Sequence, residues 1–330
     1  MSVKKITTVI LPIIVGVVLM IWIYYGYDFS QVREMFSLHD NYRWILLALL
    51  AGFTANVARS LRWKQLLASS DINISVRKSI ELVFISYLIN SITPRLGEVT
   101  RCLLIKKDKE GVASRAFGTI IIEKIFDVLC LLGVLIVALL MNSEQTVLLV
   151  DRLRRGAHSS ESSLIYFLIG GGVLIVLLVL WFFYRSRINT FVRNVWFGIS
   201  SIKRLKNVPL FLFYSFFIWF CNFLQIYYML PCFSYTAAFG LSEGLLLFGY
   251  SSVGMLFPTP SGMGPWHYAV ISTLTTIYKV GAAQAYTFAL ITHGIKTLLV
   301  IMLGFIAYLS FYSSYWTKQL KRYFFSLKKS

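Results

Sequence analysis

Apolar runs about 20 residues long, enough helix to cross roughly 30 Å of hydrocarbon, recur through this chain at 6–25, 43–59, 113–141, 163–184, 210–230 and 282–312. Lipid offers no hydrogen-bond partner to a bare peptide group, so runs of this kind must be helices that satisfy their own backbone. Composition agrees: 57% of the residues are hydrophobic and 14% are charged. Mean hydropathy is +0.70. The 330 residues leave no stretch long enough for a soluble catalytic domain, which usually needs about 100 residues. Function must therefore reside in the membrane part.

Charge at the loop ends sets the topology, because short cytoplasmic loops carry the excess of Lys and Arg. Lys4 and Lys5 place the N-terminus inside, and the run that follows them ends in Trp-Ile-Tyr-Tyr at 22–25. No small-residue cleavage site is present there, so it reads as a retained helix rather than a signal peptide. Arg59, Arg62 and Lys64 mark the next cytoplasmic end. The segment around 185–206 carries six basic residues and no acid, with apolar residues at helical spacing, and reads as an interfacial helix on an anionic leaflet. Lys318, Lys321, Arg322, Lys328 and Lys329 place the C-terminus inside. The net charge of +18 thus belongs to lipid rather than nucleic acid. Trp22, Trp44, Trp63, Trp181 and Trp316 fall near predicted span ends, as interfacial belts require.

Two segments interrupt the apolar pattern at matching places: Asn-Ser-Ile-Thr-Pro-Arg-Leu-Gly-Glu at 90–98 and Phe-Pro-Thr-Pro-Ser-Gly-Met-Gly-Pro-Trp-His at 257–267. Non-helical backbone at membrane depth is tolerated only where protein or a watery cavity satisfies it, and paired interruptions of this kind mark transporter substrate sites. The expected architecture is an all-α integral membrane protein of about six transmembrane helices plus two re-entrant helical hairpins, arranged as inverted repeats. Residues 1–42 supply an N-terminal helix and external loop, 43–141 a first repeat with its hairpin at 79–105, and 142–208 a linker helix with the basic interfacial helix. Residues 209–312 form a second repeat with its hairpin at 241–278, and 313–330 a basic cytoplasmic tail. The competing reading is an ordinary bundle with short or kinked spans.

The chemistry rests on ionisable side chains that membrane helices rarely carry. One charge at the bilayer centre costs at least about 2.5 to 3.5 kcal/mol on insertion scales. Arg95, Glu98, Arg101, Glu123, Lys124, Asp127, His293 and Lys296 therefore need partners or water. Glu123 and Asp127 share one helix face, and His293 and Lys296 share another, so acidic and basic faces are expected to meet. Arg95, Arg101 and Lys296 are candidates to hold a phosphate, with the acids orienting them. The competing reading is a set of internal ion pairs, such as Glu98 with Arg101 three residues on. Pro94, Pro258 and Pro260 break the helices, while Gly97, Gly262 and Gly264 allow positive φ. The helices that restart would aim free N–H groups at an anion, whereas a Pro kink with close-packed Gly is the plainer account. Asn90 belongs to the first break. His267 beside Trp266 is either a proton switch or a hydrogen-bonded structural residue.

As a set, the first broken segment continued to Val-Thr-Arg at 99–101, Glu-Lys-Ile-Phe-Asp at 123–127 and Pro-Thr-Pro-Ser-Gly-Met-Gly at 258–264 resemble the lysylphosphatidylglycerol synthase transmembrane-region family, the flippase-like domain proteins. The resemblance runs from about residue 10 to 315. It implies a multi-spanning protein related to the lipid-flipping half of the multipeptide resistance factors, here without the synthase half. Two positions depart from the family pattern: its Glu-Arg pair is Glu123-Lys124 here, and the acid often found after the second motif is His267.

These readings predict a lipid flippase or flippase-like transporter for a phosphate-bearing amphiphile in the cytoplasmic (inner) membrane. Its partners would be anionic or lipid-linked phosphate head groups and membrane lipids, and homo-oligomerisation stays open. The alternatives are a membrane-embedded transferase using Glu98, Glu123 or Asp127 as general base, or a non-transporting lipid-binding partner protein. No GxxxxGK followed by Ser or Thr is present, no GxSxG elbow, and no HExxH or acidic metal motif, so neither an enzyme nor a cofactor is expected. His267 and His293 lie too far apart in sequence to suggest a metal site, and Cys102, Cys130, Cys221 and Cys232 lack CxxC spacing.

Overall fold

The computed structural model describes residues 14, 17, 18, 20–25, 41–105, 111–142, 196–197 and 200–327, with side chains described as far as 313. The runs at 6–25 (but for its end) and 163–184, and most of the interfacial helix, lie outside the described residues. Every regular element described is helical: α1 Asn41–Ser69, α2 Val76–Ile92, α3 Leu96–Leu103, α4 Val112–Met141, α5 Val208–Tyr227, α6 Leu241–Gly254, α7 Pro265–Ser272 and α8 Ala282–Leu327, with short 3-10 and π turns between them. Among the described residues, four segments are long and apolar enough to cross a membrane: Asn41–Ser69, Val112–Met141, Val208–Cys232 and Ala282–Ser313.

Their outer faces fit lipid rather than water. Along α4, Ile125, Val128, Leu129, Leu132, Ile136, Val137 and Leu140 are all exposed. A monomeric soluble protein rarely shows so continuous an apolar surface.

Proline and glycine end the shorter helices where expected. After α2, Thr93 closes the last turn through its N–H and hydroxyl, both donated to the Ile89 carbonyl. Pro94 then leads into Arg95, whose φ of 61° turns the chain into α3. The left-handed residue is thus Arg95, not Gly97, which corrects the expected use of that glycine. Gly97 is helical and serves close approach: a Cβ there would lie 1.8 Å from the Ser86 carbonyl oxygen of α2. The second break spans residues 255–264 and does use positive φ, at Ser261 (49°), Gly262 (78°) and Gly264 (89°). Gly254 at the end of α6 meets the start of α7 in the same backbone-to-backbone fashion, with Pro265 O 2.7 Å from an added Cβ.

The helices pair in a regular pattern: α1 packs on α5, α2 on α8, and α6 on α4. Small residues permit these approaches. Gly52 of α1 faces Gln225 of α5, and Gly304 of α8 lies against Phe84 and Leu88 of α2. The buried core divides accordingly. One cluster gathers Phe223, Leu247, Phe248, Trp266 and Phe288. Another gathers Trp63, Leu67, Leu82, Val83 and Ile120. Trp63 is fully buried, which corrects its placement in an interfacial belt.

Candidate functional site

A line of small residues on α1, Ala48, Gly52, Ala55 and Ala58, continues into Arg62 and Leu66, and all six are buried. Arg62 therefore points inward, where a lone guanidinium would be costly. α4 answers it. Asp127 takes Arg62 Nη2 on Oδ1 at 2.8 Å and Arg59 Nη1 on Oδ2 at 2.7 Å. Arg62 also donates to Ser215 Oγ of α5 at 3.2 Å. One turn earlier, Glu123 accepts Arg101 Nη2 of α3 on Oε2. Its other oxygen has only the longer approach of Arg62 Nη2, at 3.5 Å. The Arg101 guanidinium lies over Trp63 at 4.4 Å, and Trp63 Nε1 donates to Thr119 Oγ1 at 3.1 Å. At the rim, Lys124 Nζ approaches Glu98 Oε1 at 2.5 Å.

Two expectations are corrected here. Glu98 and Arg101 do not pair with each other; each crosses to α4, so α3 is tied down by Lys124 and Glu123. The acidic face of α4 meets Arg59, Arg62 and Arg101 rather than His293 and Lys296. Arg59 and Arg62, read from the sequence only as cytoplasmic markers, are central to the network. Arg62's position on a buried small-residue stripe was the signal. Tyr87 of α2 was not singled out either, and it lies within electrostatic reach of Arg59 and Arg101.

The first break is held from within. Asn90 Oδ1 accepts the Gly97 N–H at 2.8 Å, so one N–H of the first turn of α3 is already occupied. Arg95 Nη2 donates to the Leu256 carbonyl at 2.5 Å and so links the first break to the second.

In the second break Pro258 is exposed, while Pro260, Gly262 and Gly264 are buried. His293 of α8 sits with Nε2 3.0 Å from the Ser261 carbonyl. A carbonyl only accepts, so Nε2 carries the proton, and Nδ1 receives the Thr297 hydroxyl at 3.3 Å. His267, distant in sequence, lies beside it with ring centroids 4.5 Å apart, and Trp266 flanks both rings. His267 Nδ1 is buried without a hydrogen bond. No group of three or more metal-ligand side chains occurs among the described residues.

Lys296, one turn beyond His293, has no ion-pair or hydrogen-bond partner among the described residues and is repelled by Arg59. A groove of about 200 Å³, lined by Trp22, Tyr268, Thr275 and Tyr286 among others, carries no charged side chain.

Long apolar helices, two helix breaks in contact and a buried ion-pair network beside one of them define a multi-pass integral membrane protein with a charged interior. Residues 9–304 match the model of the lysylphosphatidylglycerol synthase TM region, and the chain belongs to that family. A UPF0104 membrane protein of Pyrococcus horikoshii is 33% identical over 123 residues, 36% of this chain and 36% of the relative. Another, of Methanocaldococcus jannaschii, is 27% identical over 124 residues, 37% and 36% of the two chains. Each match thus spans about a third of the curated relative's length. No solved structure matches.

Proposed function

We propose that this protein is a lipid flippase or flippase-like transporter that moves a phosphate-bearing amphiphile between leaflets of the cytoplasmic (inner) membrane. In this reading residues 43–141 and 209–312 are two copies of one helix, hairpin, helix plan, inserted with opposite orientation and with both termini cytoplasmic. The helix pairing supports it. The first helices of the two copies, α1 and α5, pack together, and each first hairpin arm packs on the last helix of the other copy, α2 on α8 and α6 on α4. Exchanging the copies maps that pattern onto itself. At 1.5 Å per residue, α2 is about 25 Å long and α6 about 21 Å, while α3 and α7 are about 12 Å each, all short of a full crossing.

The observation that carries the reading is a surplus of positive charge beside the first break. Among the described residues, Arg59, Arg62, Arg95, Arg101 and Lys124 stand against Glu98, Glu123 and Asp127. In a medium of low dielectric such a surplus favours an anionic guest. The head group would cross between the two breaks while its tails stay in lipid. Membership of a family described by a lipid synthase supports a lipid as the guest.

Head-group translocation in proteoliposomes, with labelled phospholipids and lipid-linked sugars, tests this. One phosphate-bearing class should move faster than in empty liposomes, and Arg95→Gln and Lys296→Gln should each slow it. Absence of movement for every class with folded protein, at any proton gradient, would sink the proposal.

A further inference from the structure

We propose that the hydrogen bond from Arg95 to the Leu256 carbonyl is a latch between the two helix breaks, opened by the anionic head group of a membrane amphiphile. The anion takes the guanidinium from the carbonyl, and the α2–α3 and α6–α7 units part. The identity of what opens the latch rests on the anion-handling reading above, but the opening is an equilibrium property, measurable whether or not any lipid crosses.

The first ground is how the breaks are tied. Both turn on a residue with a side chain held in the left-handed region, Arg95 at φ 61° and Ser261 at φ 49°. Such backbone persists only where its surroundings hold it, and it gathers at clamps and switches. Each break has a tie of its own: Asn90 Oδ1 accepts the Gly97 N–H in the first, and His293 Nε2 donates to the Ser261 carbonyl in the second. Between the breaks, Arg95 to Leu256 is the one hydrogen bond among the described residues. Beyond it, α2 packs on the turn Pro260–Gly262. Exchanging a single bond therefore unties one break from the other and leaves both internal ties intact.

The second ground is the acceptor. Arg62 and Arg101 each hold a carboxylate, whereas Arg95 has no ion pair among the described residues and its bond ends on a neutral main-chain oxygen. A guanidinium carries five N–H donors in a planar fork, and an oxyanion can take two of them at once. Two parallel bonds to an anion outcompete one bond to a carbonyl.

The third ground is the surroundings. Arg95 is exposed, as are Ile92 before it and Met255, Leu256 and Phe257 around the accepting carbonyl. A cation set among exposed apolar side chains matches the head-to-tail boundary of an anionic amphiphile. A free anion would gain nothing from the apolar part.

Double electron–electron resonance on the full-length protein tests the latch, with spin labels at Ile92→Cys and Phe257→Cys and the four native cysteines replaced by alanine. In nanodiscs of phosphatidylcholine one short separation should dominate. With phosphatidylglycerol added, the ratio of long to short separations should rise about tenfold. Arg95→Gln should show the long separation in both membranes, and inorganic phosphate over phosphatidylcholine should not produce it. Hydrogen exchange on the protein with its native cysteines reads the same event. The Leu256 and Phe257 amides, bonded to the Val253 and Gly254 carbonyls, should exchange faster with phosphatidylglycerol. Separations and exchange that are equal in the two membranes overturn the proposal, as does an Arg95→Gln protein that stays closed. Opening by inorganic phosphate as readily as by phosphatidylglycerol overturns the amphiphile as the ligand. Opening without translocation of any lipid would instead overturn only the transporter reading, and translocation without opening would overturn only the latch.

Discussion

Arg95 donates a hydrogen bond from Nη2 to the main-chain oxygen of Leu256, 2.5 Å away and 161 residues later in the sequence, so the two helix breaks touch through one side chain. The guanidinium reaches out of a left-handed turn, and the carbonyl is offered by exposed chain just past the end of α6. The contact can therefore be probed chemically. In a protein whose four native cysteines are replaced by alanine, Arg95→Cys combined with Leu256→Cys should be joined by a short bifunctional thiol reagent in intact membranes. Arg95→Cys combined with Leu140→Cys, on the exposed face of α4, should not be. Equal yields for the two pairs would contradict the contact.

Asp127 holds two arginines, one of them fully buried. Asp127→Ala should cost about 3 to 5 kcal/mol, the usual penalty for leaving a buried charge without its partner. Lys296→Gln, which breaks no ion pair, should leave stability nearly unchanged. Thermal unfolding in detergent, followed by size-exclusion chromatography, separates these outcomes. A stable Asp127→Ala protein would show that the network has little structural importance.

Gly97→Ala places a methyl 1.8 Å from the Ser86 oxygen, which belongs to the backbone and cannot rotate away. We expect about 1 to 3 kcal/mol of destabilisation from overpacking. Gly133→Ala is the matched control, because nothing lies within 4 Å of its added Cβ, and it should be neutral or slightly stabilising. The two melting temperatures decide.

His293→Phe keeps a ring of similar size but removes the donor to the Ser261 carbonyl. Loss of one partner from a half-buried carbonyl costs about 1 kcal/mol, and the turn it anchors should loosen. Hydrogen exchange at the amides of Gly262 and Met263, which bond to Thr259 and Pro260, should quicken. Thr297→Val, which touches only the far nitrogen of the ring, should have a smaller effect. Unchanged exchange in His293→Phe would mean that the turn holds itself.

The four long helices described and both interruptions were legible in the sequence, because apolar length and Pro/Gly punctuation are local signals. What each charged residue does was less so. Arg59 and Arg62 end an apolar run and carry the charge bias of a cytoplasmic flank, a pattern equally consistent with snorkelling to the interface. Only the packing of α1 against α4 and α5 turns them inward. Glu98 and Arg101 are spaced for a pair within one helix, yet both side chains found partners on α4, where the bonds also dock α3. Trp63 looked interfacial for the same reason as Arg62, whereas its indole lies beneath the Arg101 guanidinium. His267 and His293 are 26 positions apart in the sequence, a gap the α7 and α8 contact closes. Such partnerships depend on which helix faces which, and a single sequence does not carry that information.

The backbone contacts at Gly97 and Gly254 have a mechanical consequence. Where two main chains touch with no side chain between them, there is no rotamer to slide on and no soft layer to compress. The α2–α3 and α6–α7 units must each tilt as a solid wedge, so bending inside either one is the costly way for this protein to move. The joint with play is where the wedges meet. There a single guanidinium, on a side chain with several rotatable bonds, can let go of one carbonyl and take hold of another.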